Sequence, residues 1–210
     1  MIKQPAINEL ALLSNQSTCA ILDQQGTIHW YCPGRFDGEA ILSTLTDLGK
    51  GGYWSVVLTG GSYQNRAYID KSSILNTFYT TAEGAFSICD FMPMGNADSG
   101  ILRRFSAVPT RLTSTLKIAG NYGLSPETVI RIDLNTVYFK AVKQYLYCSS
   151  PIKITATDTV EFTLEKGQQA WAYLTDAELN VAQFNAEERL NITLTNWRGT
   201  TACIRYEGLY

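Results

Sequence analysis

Hydrolytic chemistry needs either a nucleophile with its base or two carboxyl groups held apart in unequal surroundings, and this chain is better supplied with the second. Asp37, Glu39 and Asp90 are the acidic residues set among apolar or Gly/Pro-rich neighbours. Each has a structural part open to it that outweighs the catalytic one. Asp37 would cap a short helix, Glu39 would sit in its first turn, and Asp90 would bond the Phe91-Met92-Pro93 turn at a strand end. His29, the single histidine, falls in mid-strand between Ile28 and Trp30, where alternation assigns it to a polar face. No serine occupies a G-x-S-x-G elbow, so a nucleophilic mechanism is poorly supported. Tryptophan and tyrosine rings could instead stack on the apolar face of a pyranose. Trp30 and Trp54 lead that set, in competition with a core that needs large side chains of the same kind.

These residues depend on a scaffold, and its clearest part is the hairpin over residues 17–36. Apolar arms at 18–22 and 27–31 flank Asp23-Gln24-Gln25-Gly26, whose glycine can take φ > 0, and the second arm exits into Cys32-Pro33-Gly34-Arg35-Phe36-Asp37. A short strand is expected before it, near residues 11–13. Ile41, Leu42, Leu45 and Leu48 stand at helical spacing ahead of Gly49-Lys50-Gly51-Gly52, which predicts a short helix near 39–48. Further hairpins are expected around Gly60-Gly61, around Ala82-Glu83-Gly84 and around Pro109-Thr110. Strand-like segments then continue at intervals of about 8 to 12 residues to Thr175, the pattern of a sandwich. The expected fold class is therefore all-β, a large antiparallel β-sandwich. Asn185-Ala186-Glu187-Glu188 has the order of a capping box, and Leu190, Leu194 and Trp197 follow at i, i+4 and i+7, which predicts a C-terminal helix near 186–197. Residues 1–183 read as the sandwich domain and 184–210 as a helix and linker-like tail.

Composition narrows the function. Hydrophobic residues make up 45% of the 210 and charged ones 17%, enough for a packed core. The formal net charge is −2, with no run of like charges, which argues against nucleic acid and anionic membranes as partners. Cys19, Cys32, Cys89, Cys148 and Cys203 are scattered, odd in number and never spaced C-x-x-C. They read as free thiols of a reducing compartment, and with one histidine no zinc site or other cofactor is expected. Pro5, Asn8 and Glu9 interrupt any apolar run near the N-terminus, so neither a signal peptide nor a membrane span is expected and a cytoplasmic location follows.

One ordered set of residues carries more. Asn15-x-x-Thr18-x-Ala20, then Gly26-x-Ile28-x-Trp30-x-Cys32-x-x-Arg35-Phe36-Asp37, then Gly51-Gly52-x-Trp54, Leu75-Asn76-Thr77 and Asp90-Phe91-Met92-Pro93 resemble the N-terminal β-sandwich of bacterial and archaeal glucoamylase, glucodextranase and trehalase-like enzymes, glycoside hydrolase family fifteen. The likeness extends more weakly through Arg103-Arg104, Tyr122-Gly123 and Trp197 to Tyr206-x-Gly208. It implies a supersandwich-like fold without catalytic residues of its own. Its partner in that family is an (α/α) toroid that holds the general acid and base of an inverting hydrolysis of α-glucosidic bonds. Arg35, Phe36, Asp37 and Glu39 then become candidates for an interdomain or ligand loop. Where the family shows Leu-Cys-x-Pro-Arg-Phe-Asp-Ser-Pro, this chain has Tyr31-Cys32-Pro33-Gly34-Arg35-Phe36-Asp37-Gly38-Glu39, a loop with fewer constraining prolines. The alternatives are a standalone module that binds an α-glucan or other oligosaccharide, or a protein-interaction module whose uncovered face drives self-association.

Overall fold

A computed structural model of the chain describes residues 3–95 and 99–204; the Tyr206-x-Gly208 part of the resemblance lies outside them. The chain forms β1 (Ala11–Ser14), β2 (Cys19–Leu22), β3 (Ile28–Tyr31), β4 (Leu42–Ser43) and β5 (Tyr53–Leu58), then crosses to β6 (Ser62–Tyr68), β7 (Leu75–Thr81), β8 (Gly84–Phe91) and β9 (Gly100–Phe105). It returns for β10 (Leu112–Lys117), crosses again for β11 (Val129–Arg131), β12 (Thr136–Phe139) and β13 (Gln144–Cys148), returns for β14 (Lys153–Ile154) and β15 (Thr159–Leu164), and crosses once more for β16 (Ala170–Thr175). A long helix, α1 (Ala186–Ala202), follows.

Two eight-stranded antiparallel sheets result. The first runs β1-β2-β3-β5-β10-β15-β14 with β4 paired to β3, and the second runs β11-β12-β13-β16-β9-β8-β7-β6. Period-two alternation sends Leu112, Ser114 and Leu116 of β10, Val160, Phe162 and Leu164 of β15, and Leu75, Thr77 and Tyr79 of β7 inward, so the core lies between the sheets. The all-β sandwich expected from strand spacing is the observed architecture. Gly26 does take φ +76 in the β2–β3 turn, and β7 and β8 do form a hairpin.

Three local expectations are overturned. No helix forms over 39–48. Residues Ala40 to Thr44 are buried consecutively, which one apolar helix face cannot achieve. Leu42 and Ser43 instead pair with Tyr31 and Trp30, Ile41 O accepts from Ala119 N at 3.1 Å, and Ser43 N donates to Gly52 O at 3.0 Å. Tertiary pairing thus outweighs the 3.6-residue pattern, and Asp47 caps the following turn by accepting from the N–H groups of Gly49 and Lys50. Nor do Gly60-Gly61 and Pro109-Thr110 close hairpins. β5 and β10 belong to the first sheet, while β6 and β9 belong to the second. A tight turn signal marks a reversal, and both sheets face one core, so local residues do not distinguish a hairpin from a crossing.

The C-terminal helix is present and longer than expected. Asn185 caps it, its side-chain oxygen accepting from the N–H groups of Glu187 at 3.0 Å and Glu188 at 3.1 Å. Leu190, Leu194 and Trp197 pack on the outer face of the second sheet against Ile74, Phe91, Leu102 and Tyr173.

Candidate functional site

The exit loop after β3 is built from short-range bonds. Thr18 Oγ1 donates to Cys32 O, Arg35 N to Pro33 O at 2.8 Å and Gly38 N to Arg35 O at 3.1 Å, with Gly34 at φ +74. Arg35 grips Asp37 bidentately, Nε to Oδ1 and Nη2 to Oδ2, both at 2.9 Å, and this guanidinium holds the Asp37 carboxyl below its ordinary value. Asp37 therefore does not cap a helix. Phe36, between them, is 68% exposed, and Glu39 is exposed as well. Two ties fix the loop's ends: Phe36 N donates to Ser17 O at 3.2 Å, and Tyr122 Oη donates to Gly38 O at 3.3 Å.

Tyr122 reaches Gly38 from a strained turn. Asn121 and Tyr122 take φ +47 and +58, a left-handed conformation that costs a non-glycine residue on the order of 1 kcal/mol or more. A Cβ on the next residue, Gly123 (φ +86), would lie 2.7 Å from Lys50 O. The turn sets the Tyr122 ring 5.9 Å from Trp30, so Trp30 is half-buried and partly covered. The far end of α1 arrives at the same place: Gln16 Nε2 donates to Thr200 Oγ1 at 3.0 Å, one residue from the Ser17 carbonyl that holds Phe36. Arg198 also pairs with Asp70 at 3.0 Å, pinning the helix end to the β6–β7 connection and holding the Asp70 carboxyl low.

The other candidates lie in the interior. Trp54 is fully buried, its Nε1 donating to Ser114 Oγ at 3.0 Å, and it offers no face for a sugar. The Arg103 guanidinium sits 5.1 Å from its ring centroid. That guanidinium donates to Asp90 Oδ1 at 2.8 Å and Oδ2 at 3.1 Å, to Trp54 O at 3.2 Å and to Gly26 O at 2.6 Å. Asp90 is thus not a strand-end turn residue; it is half of a buried ion pair that ties the second sheet to β5 and to the turn of the opening hairpin. Burial pushes its carboxyl upward, while the charge and hydrogen bonds of Arg103 pull it down. Arg103 had a signal in the sequence: it alternates with Ile101 and Phe105 on an apolar row, as Asp90 does with Ile88 and Phe86, and the two are register partners.

His29 is also interior and not on a polar face. Its Nε2 meets Asp23 Oδ2 at 3.0 Å and its Nδ1 meets Thr44 Oγ1 at 2.8 Å, a carboxylate–imidazole–hydroxyl order like that of a nucleophilic triad. Both His29 and Thr44 are fully buried, so this hydroxyl meets no substrate, and the link serves to fasten β4 to the hairpin turn. Among the described residues no group of three or more His, Cys, Asp or Glu side chains is placed to hold a metal ion, and no helix is long and apolar enough to cross a membrane.

The chain is 24% identical to a trehalase of Thermoplasma volcanium over 98% of its own length and 35% of that protein's, and 24% identical to a trehalase of Thermoplasma acidophilum over 90% of its length and 35% of that protein's. It is 32% identical to trehalase 2 of Sulfolobus acidocaldarius over 115 residues, which is 54% of this chain and 19% of that protein. The chain thus spans about a third or less of the length of the curated relatives it matches. Residues 2–113 match the family described as trehalase-like, N-terminal. That span is more than half of the chain and contains the opening hairpin, its exit loop, both Gly51-Gly52 and Trp54, and the Asp90–Arg103 pair, and the chain belongs to the trehalase-like N-terminal family.

Proposed function

We propose that this chain is a non-catalytic β-sandwich unit of a trehalase- or glucoamylase-like glycoside hydrolase, and that it packs against a helical catalytic domain carried in the same chain or in a separate one. The observation that carries the reading is the convergence of the exit loop and the end of α1. Phe36 stands out between a pre-paired Arg35 and Asp37, a rigid apolar knob with its flanking charges already neutralised. The greater length of the trehalases that match supports a further domain in cis, with residues 184–210 as the link toward it. Two of the three candidate carboxylates support a non-catalytic role: Asp37 is engaged by Arg35, and Asp90 is sealed in the core. Five free thiols fit a cytoplasmic setting.

The purified chain is expected to release no glucose from trehalose, maltose or dextrin. Turnover by this chain alone, abolished by Asp37→Asn, would overturn the proposal. Mixed with the helical domain of its cognate hydrolase it is expected to form a stable complex in sedimentation. Phe36→Asp should weaken that complex at least about tenfold, as loss of a central apolar anchor does; an unchanged affinity would remove the loop from the interface.

A further inference from the structure

Along the strands of the second sheet, the outward-facing positions change character with distance from α1. On β8 the order is Phe91, Cys89, Ser87; on β9 it continues as Leu102, Arg104, Ser106; on β16 it is Tyr173, Trp171, then Gln169 just before the strand. The apolar end of each row lies under α1. The polar end is left open and forms the floor of a groove of about 810 Å³, within the range of ligand sites, with the 182–187 segment as its wall.

The chemistry of this groove is specific. Its charged lining side chains, Arg104 and Glu187, bond to each other, so the groove is close to neutral and offers nothing to a phosphate or a polyanion. Gln169 and Gln183 each bring an amide with both donors and an acceptor, Asn185 brings the amide N–H donors left over from capping α1, and serine hydroxyls line the floor. Trp171 lies half-buried among them, with Phe184 at 4.5 Å bracing one side of its ring. Planar polar groups that donate and accept together, set around an indole and without net charge, match a ligand dense in hydroxyls that also has apolar ring faces.

We infer that this groove binds a neutral oligosaccharide, with Trp171 as the stacking platform and the Arg104–Glu187 pair and the three amides reading hydroxyls. The site is distinct from the docking surface. It opens at the N-terminal end of α1, while the exit loop meets the other end of that 17-residue helix, about 25 Å away at 1.5 Å per residue.

Titration calorimetry with maltotetraose and cellotetraose as probes tests the inference. At least one is expected to bind with a dissociation constant on the order of 1 mM or tighter. Trp171→Ala should weaken it at least about tenfold, the loss of one stacking contact. Because Trp171 also packs on Phe184, Gln183→Ala serves as the second variant: it lies on the exposed segment, and it should weaken binding about threefold with an unchanged melting curve. No binding of either probe up to about 20 mM, or binding that both variants leave intact, overturns the site. Complex formation through Phe36 is read separately, so failure of the groove and failure of the docking surface give different results.

Discussion

Arg103→Met should lower the stability of the chain by about 3–5 kcal/mol, read from the urea midpoint at constant slope. The substitution leaves the Asp90 carboxylate fully buried without a counter-charge and takes donors from the carbonyls of Trp54 and Gly26. Against a total of about 5–15 kcal/mol for a domain, a loss of this size removes a large share of the stability. Asp90→Leu should cost a similar amount, because the guanidinium then stays buried and unpaired. The double variant Arg103→Met/Asp90→Leu should be more stable than either single one, since an apolar replacement of both partners strands no charge. The effect carries a pH signature. With the guanidinium gone, burial alone acts on Asp90 and raises its folded value above the unfolded one, so stability is fully present below the ordinary carboxylate range and is lost as pH climbs from there through the raised value. The deficit of Arg103→Met should therefore be smaller at acid pH than at neutral pH. A deficit under about 1 kcal/mol at neutral pH would mean that water or another group satisfies the carboxylate.

Gly52→Ala is the second large effect, and its cause is steric. A Cβ at residue 52 would lie 2.3 Å from Ile41 O, 2.7 Å from Lys117 O and 2.9 Å from Ala119 N, all of them backbone atoms that cannot swing aside. Gly51 is similar, with Ser43 C at 2.5 Å and Thr44 N at 2.6 Å. The glycine pair is where the main chain of 41–44 crosses the start of β5. Opening that crossing should cost about 3 kcal/mol, the upper end of overpacking penalties, and lower the melting temperature accordingly. Gly199→Ala supplies the contrast. It lies inside α1 with open space around it, and alanine there should stabilise by about 0.5–1 kcal/mol. Equal effects of the two changes would refute the steric account.

Sequence periodicity showed most of the strands, the opening hairpin and the capped helix, because each depends on alternation, a turn glycine or a cap within a few residues. What it did not show depends on pairing across the chain. The 39–48 segment has a helical spacing of leucines, and only the crossing at Gly51-Gly52 explains why it is extended. The turns at Gly60-Gly61 and Pro109-Thr110 carry the same residues as hairpin turns, yet each leads to the opposite sheet. Trp54 was open to both a stacking and a core role, and it became the lid of a guanidinium 49 residues away. The groove was hidden because its rows run across β8, β9 and β16, whereas each strand taken singly shows only an outward row fading from apolar to polar.

The crossings between the sheets also bear on how the molecule can be cut. Neither sheet is made from one continuous stretch: β9 finds its second neighbour in β16, and β10 finds its own in β15, both more than 40 residues later. The family match ends at residue 113, inside β10. A fragment ending there would bare the edges of β5 and β9 at the centre of the two sheets, the kind of unprotected strand that pairs with other chains. The portion that the family match covers is therefore smaller than the portion that must be synthesised before a native state exists: a ribosome has to release β15 before the first sheet is complete and β16 before the second.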